Sequence, residues 1–324
     1  MSKHSDLIRT KIVSQLAHGE FCSGQALGEQ LGISRAAISK HINFLMELGL
    51  DIFSVTGKGY KLASPLQLLN VGKITALRQK ETTTVLDVFN VIDSTNQYLK
   101  NKLINLNNGH ACLAEAQTAG RGRHGRQWVS PFGASLYLSM YWSFSGGYQS
   151  VGGLSLAVGV AVVSALKKIG IADVQLKWPN DIYARGKKLA GILIEAEGQM
   201  GGACQCVVGV GLNISMPGNL LQIDQPWVDL AQITDEVPDR NRLAAYLLDE
   251  LVLTLREFEQ SGLQPFVSHW QSLDLFRDKE VKLIMGQKRV LGICRGIDAS
   301  GALILETENV RRAYYGGEIS VRPA

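Results

Sequence analysis

At 324 residues and 46% hydrophobic side chains, the chain is long enough for two or three domains and apolar enough to fill a sizeable core. A formal net charge of +4 excludes a chain that coats nucleic acid along its whole surface, and leaves room for one local basic face. Five scattered cysteines argue against a disulfide framework, and Cys204-x-Cys206, with no second pair and no nearby histidine, does not make a zinc site.

The N-terminus carries Lys3, Asp6, Arg9 and Lys11 and no apolar signal core, so a cytoplasmic location is expected. Ile8, Ile12 and Leu16 predict a first amphipathic helix that ends at Gly19. Ser23 as N-cap opens a second that closes at Gly32, and Ser34 opens a third that runs to Leu48. In the third, Ile38, Ile42 and Leu45 share one face, while Arg35, Ala36, Ser39, Lys40 and Asn43 share another. Two helices joined by the short Gly32-Ile33 turn make a helix-turn-helix, and the alternating segment 51–62, turning at Gly57-Lys58-Gly59, adds a two-stranded wing. Ala36 and Ser39 are small enough for close approach to a major groove, where Ser34, Arg35, Ser39, Lys40 and Asn43, with Lys58 of the wing, reach bases or phosphates. A protein-interaction module is the competing reading. Residues 1–64 hold seven Lys and Arg against five Asp and Glu, so one copy binds specific DNA weakly and a dimer on a two-fold-related site is expected.

After the Ser64-Pro65 break, strands are predicted near residues 85–91, 111–117, 135–141, 174–178, 190–197 and 206–214, with helices at 95–102, 154–169 and 241–260. The result is one α/β domain, residues 65–274, with a mainly antiparallel sheet. Residues 127–166 carry no charge, but Pro131 and several glycines leave only residues 154–166 as continuous helix, short of the ~20 needed to cross a bilayer. That stretch reads as core, and no membrane partner is expected.

Within this domain, Gly120-Arg-Gly-Arg-His-Gly-Arg-Gln-Trp128 is poor helix and poor strand. It reads as a mobile loop whose backbone approaches a ligand while the guanidinium groups fork onto carboxylate or phosphate oxygens. Gly120, Gly122 and Gly125 also satisfy G-x-G-x-x-G, but Gln127-Trp-Val-Ser-Pro131 is a poor helix start and no acidic residue follows before Lys167, so the dinucleotide-binding reading fails on context. Further on, Lys177-Trp-Pro-Asn-Asp181 sets a cation, an aromatic ring and a carboxylate about a turn, and Lys187-Lys-Leu-Ala-Gly-Ile-Leu193 starts the next strand. From residue 275 to 324, short strands at 280–285, 289–298, 302–306 and 310–315, linked by Gly286-Gln287, Ser300-Gly301 and Glu308-Asn309, predict a small barrel of SH3 type.

Taken together, the Arg-Gly segment, Lys177-Trp-Pro-Asn-Asp181, Lys187–Leu193, Asp93-Ser-Thr-Asn96, Gly209-Val-Gly-Leu-Asn213 and the winged helix with Ser34-Arg-Ala-Ala-Ile-Ser-Lys-His41 resemble the bifunctional biotin–protein ligases that are also biotin-operon repressors. The resemblance spans essentially the whole chain. It implies a winged helix-turn-helix at 1–64, a mixed-sheet ligase domain at 65–274 resembling class II synthetase and lipoate ligase catalytic domains, and an SH3-like barrel at 275–324. The implied reaction joins biotin to ATP as biotinyl-5′-AMP, with Mg²⁺ accompanying ATP. Biotin then passes to a lysine of the biotin carboxyl carrier protein of acetyl-CoA carboxylase. The adenylate serves as corepressor, promoting a homodimer on operator DNA.

By the same resemblance Ser94, Thr95, Asn96 and Gln117 bind biotin, and Arg121, Gly122 and Arg123 close over carboxylate and adenylate. Lys188 reaches the carboxylate and α-phosphate, where charge develops. Lys177, Asn180, Asn213 and Trp227 are implied at the nucleotide, Trp227 as a cover at the end of a flexible segment 216–227. Lys188, Arg123 and Asp181 are the catalytic candidates. Asp181 either orients a metal, a water or the incoming amine, or caps the turn. No metal-ligating set is assigned. His124 departs from the family, standing where another cation is expected. Lipoate ligation and a non-catalytic biotin-sensing repressor are the competing functions; the barrel and winged helix argue against the first, the cationic set and nucleotide segment against the second.

Overall fold

The computed structural model describes residues 3–198, 202–218, 223, 225–317 and 319–324. The N-terminal helices are α1 (Lys3–Leu16), α2 (Gly24–Leu31) and α3 (Arg35–Glu47), and α2 and α3 start where their caps predict. Ser23 Oγ accepts from the Ala26 N–H at 3.0 Å and Ser34 Oγ from the Ala37 N–H at 3.2 Å, satisfying donors that have no partner in the first turn. Ile8, Ile12, Leu16, Ile38, Ile42 and Leu45 are all buried in one cluster. The wing is β1 (Ile52–Val55) against β2 (Gly59–Leu62), antiparallel. Gly59, at φ +100°, has no substitute: a Cβ there would lie 2.2 Å from the Cys22 carbonyl oxygen, which accepts from the Tyr60 N–H at 2.9 Å.

The central domain is a seven-stranded sheet in the order β3-β4-β5-β9-β8-β7-β6. Its strands are β3 (Leu86–Ile92), β4 (Ala111–Gln117), β5 (Ser135–Phe144), β6 (Gln175–Lys177), β7 (Asp181–Ala184), β8 (Lys187–Gly198) and β9 (Cys204–Asn213). Only β3 and β4 run parallel; every other pair is antiparallel. Its helices are α4 (Val71–Leu77), α5 (Thr95–Lys100), α6 (Leu154–Lys168), α7 (Leu230–Ile233), α8 (Arg240–Ser261) and α9 (Gln264–Ser272). Helix α6 is apolar around most of its circumference because the sheet contacts one side and α8 and α9 the other. Its charge-free sequence belongs to the interior. The short elements α4, β7, α7 and α9 are additions to the sequence expectation: at four to nine residues they carry too little periodicity to read.

The C-terminal unit is a five-stranded antiparallel sheet in the order β13-β12-β11-β10-β14, from β10 (Glu280–Met285), β11 (Lys288–Ile297), β12 (Leu303–Thr307), β13 (Val310–Tyr314) and β14 (Ile319–Pro323). Glu308 and Asn309 both take positive φ, 49° and 63°, as a two-residue hairpin turn between twisted strands demands. Strand β14 is a further addition. The sheet packs on the central domain: Trp178 Nε1 donates to the Gly301 carbonyl at 3.0 Å, and Val281, Leu283, Cys294 and Leu305 belong to the same core as α6 and α8.

The segment leaving the winged helix is fixed in place. Buried Glu115 on β4 pairs with Arg240 at 2.7 Å and accepts from the Leu69 N–H, while Arg240 also donates to the Gln67 and Ser135 carbonyls at 2.8 and 3.0 Å. Asn241 accepts from the Asn70 N–H at 2.7 Å and donates to the Leu68 carbonyl at 3.1 Å. Removing one partner of a buried pair leaves the other uncompensated. Arg240→Ala should therefore destabilise the central domain by about 3–5 kcal/mol in denaturant titration, whereas Glu115→Gln combined with Arg240→Met should lose much less; equal losses would contradict a buried-charge origin.

Candidate active site

The pleat of the sheet places Tyr137 and Ser139 of β5, Gly209 and Gly211 of β9 and Gly191 of β8 side by side on one face, with Ser139 opposite Gly209, Tyr137 opposite Gly211 and Gly191 opposite Gly211. A cleft of about 350 Å³ opens over them. Its floor is low because the glycines have no side chains. The indole of Trp128 lies in that space: a Cβ on Gly211 would be 2.5 Å from its ring and one on Gly191 2.9 Å.

At one end, α5 supplies Ser94, Thr95 and Asn96. Gln117 Oε1 accepts from the Thr95 N–H at 2.9 Å and hydroxyl at 3.1 Å, and its Nε2 donates to Ser130 Oγ at 3.0 Å. Ser94 Oγ caps α5 by accepting from the Gln97 N–H. Asn96 is turned inward: Ser139 donates to its Oδ1 and its Nδ2 donates to Glu195 at 2.9 Å. Its amide is committed to protein partners on both sides. The buried hydroxyls of Thr95 and Ser139 join this network at 2.7 Å.

The Arg-Gly segment, expected from its composition to be a mobile loop, makes contacts within itself and with the sheet. It forms a narrow turn in which the Gly122 N–H donates to the Arg126 carbonyl at 2.7 Å and the Trp128 N–H to the Gly120 carbonyl at 2.9 Å. His124 sits at its tip with φ 57°. Arg121 donates to Glu195 at 2.9 Å, and Arg123 donates to Asn180 Oδ1 at 2.8 Å and to the Gly317 carbonyl of the C-terminal unit. Arg121, Gly122, Arg123, His124 and Arg126 all line the cleft.

The opposite end holds the lysines. Antiparallel β6 and β7 set Lys177 across from Asp181. Between β7 and β8 the register slips: Ile182 faces Ala190 but Tyr183 faces Lys188, so Leu189 is one residue more than the pairing needs. That bulge turns Lys188 to the face of Asp181 and Tyr183. Lys188 Nζ lies 2.7 Å from Asp181 Oδ1 and 5.3 Å from the Trp128 ring centroid. Lys177, buried, lies 3.9 Å from Asp181 Oδ2 and donates to Tyr183 Oη at 3.1 Å; burial pulls its pKa down to about 8, against the opposing pull of Asp181. With two ammonium neighbours, Asp181 is a poor cation ligand. Among the described residues no group of three His, Cys, Asp or Glu side chains gathers to hold a metal.

A second chamber of about 220 Å³ adjoins the first behind Trp128 and Lys188, lined by Asn213, Met216 and Trp227. The chain crosses its mouth as an extra strand segment: the Lys188 N–H donates to the Pro226 carbonyl at 3.1 Å and the Val228 N–H to the Lys188 carbonyl at 2.9 Å. Asn213 Nδ2 donates to the Val228 carbonyl at 3.1 Å, so its amide positions the segment that carries Trp227. Residues 219–222 and 224, which fall in the expected flexible segment, lie outside the described residues. At the other end of the molecule Ser34, Arg35, Ala36, Lys40 and Asn43 are exposed along α3, Ser39 is half-buried, and Lys58 is exposed at the wing turn.

Several residues of the cleft and its support had no signal in the sequence. Glu195, which holds Arg121 and Asn96, is one acid in a strand; Ser139, which holds Asn96, is one polar residue in an apolar run; and Arg322 belongs to the unpredicted β14 yet reaches the cleft wall. Trp128 was visible only as the end of the Arg-Gly segment.

Residues 88–213 match the Biotin/lipoate A/B protein ligase family, residues 8–61 an HTH domain, and residues 278–322 the Biotin protein ligase C terminal domain. The chain is 49% identical over 315 residues to the bifunctional ligase/repressor BirA of Escherichia coli (strain K12), covering 97% of each. It is 29% identical over 309 residues to the bifunctional ligase/repressor BirA of Bacillus subtilis (strain 168), covering 94% of this chain and 95% of the relative. Its fold is similar to that of the biotin protein ligase from Aquifex aeolicus in complex with biotin and ATP, with a TM-score of 0.67 and 29% identity over 75% of this chain and 100% of that one.

The glycine floor yields a direct test. Gly211→Ala drives a methyl group into Trp128 and should destabilise the central domain by about 1–3 kcal/mol. In a Trp128→Ala background the same substitution should be nearly neutral; an undiminished loss there would show that the indole is not what the glycine accommodates.

Proposed function

The chain belongs to the bifunctional ligase/repressor family of biotin protein ligases, and on that premise we propose how its residues divide the work. The protein is an ATP-dependent biotin–protein ligase and a DNA-binding transcriptional repressor. Biotin and ATP are its substrates. The observation that carries the residue assignment is the meeting of three cations, Arg121, Arg123 and Lys188, in one cleft, with Lys188 also lining the second chamber beside it.

Biotin takes the end lined by Ser94, Thr95, Gln117 and Gly122, where hydroxyl and amide groups meet its polar ring. The adenine takes the second chamber, under Trp227. Carboxylate and α-phosphate then meet beside Lys188. A carboxylate oxygen attacks the α-phosphorus, the bond to the bridging oxygen breaks, and pyrophosphate leaves. Bringing two anions together needs positive charge fixed in advance, and Lys188, Arg121 and Arg123 supply it. Mg²⁺ would accompany ATP and supply further positive charge at the phosphates, with little help from Glu195 and Asp181, which are already paired with Arg121 and Lys188. In the second step a lysine of the carrier protein attacks the mixed anhydride. Asp181 receives the proton that nitrogen sheds as the C–N bond forms. Asn180 holds Arg123, and Asn96 and Asn213 act through Glu195 and the Val228 segment.

The match to the biotin ligase C-terminal domain, together with the helix-turn-helix, favours this reading over lipoate ligation. The carrier is the biotin carboxyl carrier protein of acetyl-CoA carboxylase, and the site of action is the cytoplasm. Repression runs through α3 and the wing, on operator DNA. Each winged helix is only weakly basic, so two must act together, and biotinyl-5′-AMP promotes the homodimer. Strand β8 supports that reading: β7 pairs with it only as far as Gly191, and among the described residues no strand pairs with that edge beyond residue 192, where Tyr148 Oη donates to the Ala196 carbonyl at 3.2 Å. Arg121 is held on this stretch, at Glu195, so a ligand that draws Arg121 away acts on the edge itself. Unmodified carrier that docks there competes with the dimer.

Lys188→Ala should slow pyrophosphate release with biotin and ATP by about 10²–10³, the loss of one charge-stabilising contact at the developing negative charge; a near-normal rate removes Lys188 from that role. Sedimentation and operator binding with and without biotinyl-5′-AMP should both strengthen with ligand, and self-association indifferent to it would end the coupling while leaving the ligase intact.

A further inference from the structure

We propose that Lys177 and Tyr183 form a fixed anchor that keeps Asp181 in place while Lys188 leaves it for the ligand, which makes Lys177 a positioning residue for biotin transfer and not a phosphate contact. The inference rests on the reading of Asp181 as the proton acceptor of the second step.

The carboxylate of Asp181 is shared between two lysines of unequal freedom. Its Oδ1 is 2.7 Å from Lys188 and its Oδ2 3.9 Å from Lys177. Lys188 faces the cleft, with only the Trp128 ring as a further contact among those described. Lys177 has the more enclosed side chain, 6% exposed against 13% for Lys188. Its ammonium donates to Tyr183 Oη and lies 4.9 Å from the Tyr183 ring centroid. One lysine can move to an arriving anion; the other is built in.

An ammonium at this depth is a poor choice for stability. Burial costs a cation several kcal/mol, and an apolar residue of the same length would fill the space without that cost. Burial is the main cause that lowers the Lys177 pKa, Arg322, Lys188 and Arg126 add to it, and Asp181 is the acid that holds it up. The residue therefore has a reason to be there only in combination with Asp181. Arg123 also acts on Asp181 through space, but its guanidinium is spent on Asn180 and Gly317 and is itself needed by the ligand.

The sequence of events follows. When biotin and ATP bind, Lys188 exchanges Asp181 for the carboxylate and α-phosphate. Lys177 stays, so Asp181 remains ionised and aimed at the cleft. The acceptor lysine enters as the free amine, its first proton already lost to solvent. Its nitrogen bonds to the biotinyl carbonyl carbon, the carbon–oxygen bond to the phosphate breaks, and AMP leaves with the electron pair. The proton released by nitrogen passes to Asp181 and from there to water.

The test separates the two half-reactions in the full chain: pyrophosphate release from biotin and ATP, and transfer from supplied biotinyl-5′-AMP to a biotinyl carrier domain. For Lys177→Met, the ratio of transfer to pyrophosphate release should fall about 10-fold or more, in kcat and with the KM for carrier unchanged, a modest share of what a general base contributes. Tyr183→Phe should shift the ratio in the same direction by less, and keeps the test available if Lys177→Met does not fold. Asp181→Asn and the Lys177→Met/Asp181→Asn double variant should transfer at the same reduced rate, because Lys177 acts only through the carboxylate. Additive losses, or pyrophosphate release slowed by Lys177→Met as much as transfer, would overturn the proposal. Normal transfer by Asp181→Asn would instead overturn the reading of Asp181 on which it stands.

Discussion

Cations held in a partly dry cleft are costly unless something neutralises them, and the ligand they await is absent for part of every cycle. The cleft meets this constraint by lending each cation a partner from the protein: Glu195 to Arg121, Asn180 to Arg123, Asp181 to Lys188. Binding is then an exchange of partners. An anionic ligand would replace one acceptor with another, and only Arg123 starts from a neutral partner, the Asn180 amide. The arrangement also sets selectivity, since a neutral molecule of similar shape has nothing to offer in return for the contacts it would break.

The exchange reaches beyond the cleft because the lending groups sit on structural elements. Glu195 is on β8, where Lys100 and Asn96 also hold it, at 3.2 and 2.9 Å. Asn180 lies in the β6–β7 turn and also donates to the Ile192 carbonyl at 2.8 Å. Asp181 begins β7. All three partners therefore sit on or beside the middle of β8.

Much of this was legible in the sequence, for identifiable reasons. Caps at Ser23 and Ser34 and the apolar faces of α1 and α3 are local signals, and local signals survive folding. The Glu308-Asn309 turn is legible in the same way. The site residues were legible through a combination of motifs, which brought Ser94, Thr95, Gln117, the Arg-Gly segment, Lys177, Asp181 and Lys188 to one cleft. What escaped depends on pairing across long separations. Nothing near Leu189 announces a bulge, yet the facing of Lys188 follows from it. Composition made the Arg-Gly segment look loose, because its order comes from Glu195, Asn180 and Gly317, far off in the chain. The resemblance implies Lys177 at the nucleotide, and only the fold shows that its ammonium is buried against Tyr183.

The winged helix ends in sequence near Ser64, but its apolar cluster does not end there: Ala116 and Phe132 of the central domain belong to it, and the Phe132 N–H donates to the Leu48 carbonyl at 2.8 Å. The two activities therefore share an interior as well as a ligand. Cutting the chain after the wing would strip the cover from Phe132 and Ala116 and leave an apolar scar two residues from Ser130, the partner of Gln117 at one end of the cleft. Freeing the ligase from this protein by truncation alone would bare Ala116 and Phe132 to water, so the cut needs that scar resurfaced as well.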